Sequence, residues 1–370
     1  MSVGSSVHAR ADYYAGSMTR PTVYDVAKEA GVSIATVSYA FAKPDRVKRE
    51  TLQRVLEIAD RLGYVPSASA RGLAKGATRA IGVYAFDYLI DSRGPGAGDL
   101  KVPLDLNARH FPLYSDEVRR GVELECRAAG YAVMIGSGSR LDHVPQIIDV
   151  AGRVDALITF ANVASDSALD QIAARIPVVE LGGRASSATR MTVAVNNREA
   201  MAALVEHLVG VHQHRDLMYV GRPHTHEMTE RLHGFEDTIT RHGLAANAVL
   251  ESSPARDPLT RNSVGAVIAS GHLPDAFVCA TDQEALVVID AVTEAGLRVP
   301  ADVAVTGFDG ILAGRMVQPI LTTVRQPMEE TGRVAVQKLL AALDPSRARV
   351  EGLDSEPLTG ILAVGGTCGC

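Results

Sequence analysis

Two groups of side chains in this sequence have atoms that could hold a metal or react. Seven of the eleven histidines lie between 207 and 242, including the H-x-H pairs His212/His214 and His224/His226. The four cysteines, Cys126, Cys279, Cys368 and Cys370, include one C-x-C. Imidazole nitrogens and thiolates are the ligands zinc-class ions prefer. Read along the sequence, neither group is complete. The alternating histidines have no carboxylate or cysteine cluster beside them, and Cys368 and Cys370 stand in a segment that reads as a frayed, inert tail. No metal and no cofactor is expected. Catalytic motifs are missing as well: "GSGS" at 136–139 has the spacing of neither nucleotide fingerprint, and G-x-S-x-G and H-E-x-x-H do not occur.

A different chemistry, contact with phosphates and base edges, is offered by "TVYDVAKEAGVSIATVSYAFA", Thr22 to Ala42. Thr22 and Asp25 form a T-x-x-D capping pattern, and Val23, Val26, Ala27 and Ala30 then share one helical face. Gly31 ends that helix in a tight turn. Ser33 caps the next, with Val37 and Ala40 turned inward and Ile34, Ala35, Ser38 and Tyr39 outward. A third amphipathic helix over 49–62 offers Leu52, Val55, Leu56, Ala59 and Leu62 to a small core, and Gly63 ends it. Two short helices about a glycine turn make a helix-turn-helix, whose second helix enters the DNA major groove by its N-terminal residues. That end also presents free N–H groups and a dipole suited to phosphate.

The charge distribution agrees once it is divided along the chain. The net charge is −6 over 370 residues. Residues 19–79 hold 11 Lys/Arg against 6 Asp/Glu, so a head of +5 precedes a remainder of −11. A basic head can approach phosphates while an acidic body stays off the duplex. The length implies two or three folded units. No apolar run approaches the roughly 18–20 residues of a membrane span, and residues 1–18 lack a secretory apolar core, so a cytoplasmic protein with no membrane partner is expected.

"GYVPSASARGLAKG", Gly63 to Gly76, follows the head. From Thr22 to this point the sequence resembles the lactose-repressor (LacI/GalR) family of bacterial transcription regulators, and the likeness extends over about 20–363. The resemblance implies that Ile34, Ala35 and Tyr39 face base edges, while Tyr24, Ser33, Thr36, Ser38, Arg46 and Thr51 touch or brace phosphates. Ile34 and Ala35 offer only apolar contact, and Tyr39 a single hydroxyl where the family often has an arginine. Ala42 and Lys48 also depart from the family pattern. About 68–74 should form a short hinge helix, too short to be stable alone in water. In the family this helix forms against its twin in a dimer, with Leu73 wedged into the minor groove and Ala70 allowing close approach.

Beyond Ala80, apolar runs at 80–86, 131–136, 154–160, 176–181, 216–221, 275–280 and 302–308 alternate with amphipathic stretches, among them 115–129, 197–210, 229–242, 260–270 and 283–295. Buried strands with crossover helices imply a doubly wound α/β fold. The fold class is therefore α/β: an all-α helix-turn-helix head followed by a two-lobed body resembling the periplasmic-binding-protein architecture. The expected boundaries are a disordered tail over 1–19, the head over 20–65, the hinge over 66–77, an effector and dimerisation region over 78–350, and a tail over 364–370. The lobes should comprise about 78–178 with 323–344 and 179–322 with 345–363, the chain crossing between them near 177–180, around 321–326 and after 343. Residues 87–114 make a long connection, a lid or a disordered insertion.

Ligands in such folds lie beyond the carboxyl ends of the strands. The resemblance assigns Arg231 in "RLHGF", Asp282 in "CATDQEA" and Asp309 in "VTGFD" to an effector site. An Arg and an Asp suit a polyhydroxyl ligand through charge-assisted hydrogen bonds. The chain has no Trp, so Phe160 or Phe308 would stack on a sugar ring. The expected protein is a homodimeric or tetrameric repressor of pseudo-palindromic operator DNA, controlled by a small molecule, most simply a sugar. The competing readings are a solute-binding protein and an enzyme on the same body.

Overall fold

The computed structural model describes residues 21–66, 77–86, 113–138, 145–184, 189–245, 249–252, 257–344, 346 and 357–370. The chain divides into two compact units, residues 1–78 and 79–370. Among its described residues the first holds the helices α1 (Val23–Ala30), α2 (Ile34–Ala42) and α3 (Arg49–Leu62). Gly31 turns the chain between α1 and α2 in the left-handed region, φ 65°, and Gly63 ends α3 in the same way at φ 69°. Val26, Ala27, Ala30, Val37, Ala40, Val55, Ile58 and Ala59 form the small core. The expected inner face of α3 needs one correction. Leu56 is exposed and Ile58 is buried, because the turn of the helix that meets α1 and α2 carries positions 52, 55, 58, 59 and 62.

The second unit is built on two five-stranded sheets. In the first, β1 (Ala80–Phe86), β2 (Ala132–Gly138), β3 (Ala156–Phe160), β4 (Val178–Leu181) and β5 (Met191–Val193) lie in the order β2-β1-β3-β4-β5, and all pairs are parallel. In the second, β6 (Leu217–Val220), β7 (Ala276–Cys279), β8 (Ala304–Asp309) and β9 (Thr322–Arg325) are parallel neighbours. β10 (Ile361–Ala363) closes the edge antiparallel to β9. The intervening helices are α4 (Leu113–Ala129), α5 (Pro145–Ala151), α6 (Asp166–Ala173), α7 (Asn197–Gly210), α8 (His226–Arg241), α9 (Asp257–Ala269), α10 (Asp282–Glu294), α11 (Leu312–Met316) and α12 (Met328–Leu343). Buried aliphatic residues of the strands read as near-continuous runs because helices cover their faces.

The lobe boundaries differ from the expected ones. Val178–Leu181 pairs with β3, and Met191–Val193 extends the same sheet. The first crossing therefore falls at 194–196, not at 177–180, where Val195 bridges Leu358. The return crossing follows Arg325, inside the expected 321–326, but β9 belongs wholly to the second sheet, so the lobe boundary falls after 325 and not at 323. Strand pairing, which an apolar run does not specify, decides both. The segment 364–370 is also folded: Gly366–Cys368 forms a 3-10 turn, with Cys368 in the second lobe's core. The hinge at 67–76 and most of the long connection, 87–112, lie outside the described residues.

Return of the chain places α12 against α4 on the first lobe. The two helices approach so closely that a methyl group on Gly121 would overlap the Glu329 carbonyl, and one on Gly332 the Val118 carbonyl. Because both obstacles are backbone, relief requires moving a helix. Gly332→Ala should cost about 1–3 kcal/mol through overpacking, seen as a lower denaturant midpoint with an unchanged slope; an unaltered midpoint would show that the helices separate freely.

Candidate DNA interface and effector site

The head presents α2 outward. Ser33 accepts a hydrogen bond from the Thr36 N–H at 3.1 Å, and their hydroxyls lie 2.9 Å apart. The Asp25 carboxylate accepts from both the N–H and the hydroxyl of Thr22, each at 2.7 Å, and the Thr22 hydroxyl is the main cause of its lowered pKa. Tyr24, Tyr39 and Ile34 remain 67%, 46% and 40% exposed, a large apolar area for so small a unit. Ala35, Ser38 and Arg46 are exposed with them, whereas Thr36 and Thr51 are half-buried. Ala70 and Leu73 lie outside the described residues.

The second candidate site gathers at the carboxyl ends of β3 and β8, between the lobes. Arg231, on α8, is 1% exposed. Its Nε donates to Asn197 Oδ1 at 2.8 Å and its Nη1 to the Ala280 carbonyl at 2.6 Å, with Asp309 Oδ1 3.1 Å from Nη1. The guanidinium also lies over the Phe308 ring at 3.9 Å. Asp309 ends β8 with φ 121°, a backbone conformation that a residue with a side chain rarely adopts. Gln326 holds it there, donating its N–H to the Asp309 carbonyl at 3.0 Å and its Nε2 to Oδ1 at 2.7 Å.

From the first lobe, Phe160 meets Tyr114 edge to face at 6.3 Å, and the Tyr114 hydroxyl senses Glu227, Asp309 and Arg231 electrostatically. Asn162 donates to the His224 carbonyl, and the Leu312 N–H donates to Glu117 at 3.2 Å, so the lobes are joined around the cluster. The structure thus brings Arg231 and Asp309 into contact and sets Phe160 across from them. Asp282 stands apart from its expected role. It is fully buried, accepting from the Thr323 hydroxyl at 2.5 Å and the Ile311 N–H at 2.8 Å, and so braces the turn after Asp309.

Comparison with known proteins bears on both sites. The model of bacterial regulatory proteins of the lacI family matches residues 22–67, and that of the periplasmic binding protein-like domain matches 205–359. Catabolite control protein A of Staphylococcus aureus is 28% identical over 324 residues, 86% of this chain and 91% of that protein. The HTH-type transcriptional repressor PurR of Aliivibrio salmonicida is 28% identical over 326 residues with the same coverage. A lac repressor dimer solved with operator and the anti-inducer ONPF shares the fold at TM-score 0.73 and 22% identity, over 94% of this chain and 99% of that one. Residues 22–67 are thus a lacI-family DNA-binding domain, and the body carries a periplasmic-binding-protein-like domain. The protein is a DNA-binding transcription regulator, not an enzyme.

Several residues around the cluster carry no motif in sequence: Tyr114, Asn197, Glu227 and Gln326. Gln326 is the most informative. Its Oε1 is a buried acceptor with no hydrogen-bond partner among the described residues, beside Asp309. A strand followed by a chain crossing is the one sequence signal that could have pointed to it, since ligands collect at such places.

Burial governs protonation here. It raises the Asp282 and Asp309 carboxyls, with their like charges adding to the effect at Asp282 and Arg231 opposing it at Asp309. Glu284, in the first turn of α10, is pushed up to about 7, chiefly by burial, although the Thr281 and Ser252 hydroxyls donate to it. Its folded pKa exceeds the unfolded value of 4.5, so its contribution to stability falls as pH rises from about 4.5 to about 7 and then levels off. Glu284→Gln keeps the shape without the charge. Thermal unfolding of that variant across this window should show a flatter pH dependence than the parent; parallel curves would mean that Glu284 stays ionised in the fold.

Proposed function

We propose that the protein is a cytoplasmic homodimeric repressor whose two α2 helices read the half-sites of a pseudo-palindromic operator, and whose grip is set by a sugar or related polyhydroxyl bound between the lobes. The observation that carries the DNA reading is the exposed row Ile34, Ala35, Ser38 and Tyr39 on a helix whose other side is spent in the head core. Its N-terminal end, capped by Ser33, points hydroxyls and N–H groups outward, the arrangement phosphates favour. Relatives support the partners: the lac repressor was solved as a dimer on operator, another regulator with cellobiose, and an Enterococcus faecium member with ribose.

The ligand class follows from the polar cluster. A polyhydroxyl can donate to the orphan Gln326 Oε1 and to Asp309 while the Phe160 and Tyr114 rings shield its apolar face. Asp282 then serves the site indirectly, by fixing the turn that carries Asp309. Ligand acts by favouring one lobe arrangement, and a 100-fold difference in affinity between arrangements is worth about 2.7 kcal/mol to operator occupancy. On this reading Ala70 and Leu73 transmit the change through a hinge helix that orders on bent DNA.

Selection of bound sequences from random duplexes, followed by a sugar screen on the selected complex, tests the whole reading; recovery of no symmetric site would overturn it. Two variants separate its halves. Arg46→Ala should weaken binding equally across operator sequences and lower the slope of log affinity against log salt by about 1, and an unchanged slope removes Arg46 from the phosphate contacts. Arg231→Lys keeps the charge but cannot reach Asn197, Ala280 and Asp309 together. Effector affinity measured by calorimetry should fall roughly 10- to 100-fold while effector-free operator binding holds; an undiminished affinity would clear Arg231 of the role.

A further inference from the structure

We infer that the C-terminal C-x-C and the end of α7 together form a Cys2His2 site for a zinc-class cation, separate from the effector cluster. His207 lies in the last turn of α7 and His212 just beyond it; Cys368 and Cys370 come from the folded C-terminal segment. The four donor atoms all lie within 4.8 Å of one another, the one such cluster among the described residues. His207 Nε2 stands 3.2 Å from His212 Nε2, 3.5 Å from Cys368 Sγ and 3.6 Å from Cys370 Sγ, while Cys370 Sγ lies 3.3 Å from His212 Nε2. A tetrahedral zinc with bonds of about 2.05 Å to nitrogen and about 2.3 Å to sulfur needs N···N edges of roughly 3.3 Å and N···S edges of roughly 3.6 Å. The observed spacings match that figure.

Hydrogen bonding alone does not account for the convergence. An imidazole nitrogen has one proton or one lone pair, directed along a single line in the ring plane. His207 Nε2 nevertheless faces three donor atoms at once, and a cation at their centre satisfies all four groups. The backbone is arranged to bring them together. Gly369 turns the chain at φ 105°, a conformation open to glycine, so that Cys368 and Cys370 present sulfur to the same side. His214 stacks on the His212 ring at 5.5 Å and hydrogen-bonds the Cys368 backbone. Thr367 Oγ1 accepts from the Thr322 N–H at 2.9 Å, and Cys368 is packed in the core that includes Leu204 and Leu208.

Four protein donors leave no open position, so the site is structural and not catalytic. Its effect is to tie the end of α7 to the segment that follows β10. The H-x4-H spacing is a familiar half of a zinc site, but its partner pair lies some 150 residues on, and only the fold reveals the match.

The test uses the full-length protein, reduced, stripped with chelator, and titrated with Zn(II). One zinc should bind per chain and raise the thermal midpoint, and Co(II) in its place should give the visible absorption of a tetrahedral cobalt thiolate. The double variant His212→Gln with Cys370→Ser alters the two more accessible ligands and spares the buried Cys368; circular dichroism checks that it folds. It should lose zinc affinity by more than about 100-fold, beyond the loss from removing a group that merely supports a ligand. Equal zinc binding by parent and double variant would overturn the assignment, since the ion would then sit on other histidines. So would failure of the parent to bind zinc, or an intact mass showing that Cys368 and Cys370 remain joined as a disulfide in reduced, zinc-containing buffer.

Discussion

The body of this regulator is organised around a buried guanidinium. Removing Arg231 from water costs several kcal/mol unless its partners are well placed, and that requirement explains much of what surrounds it. Asp309 supplies the counter-charge from the end of β8, Asn197 and the Ala280 carbonyl take further N–H groups, and the Phe308 ring lies against the guanidinium face. To meet Arg231, Asp309 adopts a backbone conformation that residues with side chains avoid, so other groups must hold it. Gln326 does so from the strand end before the chain returns to the first lobe, and Asp282 does so by fixing the turn at 310–311.

This arrangement gives the cluster leverage over the fold. Residue 326 sits where the chain leaves β9 for α12, and Asn197 opens α7 directly after the first crossing. Groups that hold Arg231 and Asp309 therefore lie at two crossings between the lobes. Tyr114 adds the first lobe's side, its hydroxyl kept neutral by burial close to Glu227 and Asp309. On the proposed reading, a ligand that competes for these hydrogen bonds acts at the crossings that join the lobes, so its binding energy would be expressed as a change in lobe arrangement.

The head illustrates a different economy. Its core is a handful of small and β-branched residues drawn from three helices, and the side chains of α2 that packing does not use are the ones left to meet DNA. Ser33 and Thr36 together cap the helix, so on the proposed reading stability and phosphate contact draw on the same residues. The swap of Leu56 for Ile58 in the core shows the limit of reading one helix at a time: both fall within a broad apolar stripe, and the angle at which α3 crosses α1 and α2 selects between them.

Reading along the chain was enough for the three head helices, with the ends of α1 and α3 at Gly31 and Gly63, and for the alternation of strands and helices in the body, while the family resemblance pointed to Arg231 and Asp309. These are local matters: capping, periodicity and backbone freedom act over a few residues, and the motifs around them are contiguous. Whatever joins distant segments came from the folded chain. Strand pairing moved the first crossing to 194–196, hydrogen bonding turned Asp282 inward and brought in Gln326, and packing of the last residues against α7 brought Cys368 and Cys370 to His207 and His212. The traces these contacts leave along the chain are partial, an H-x4-H or a strand end, because each contact is fixed by where a folded core places residues that the sequence keeps far apart.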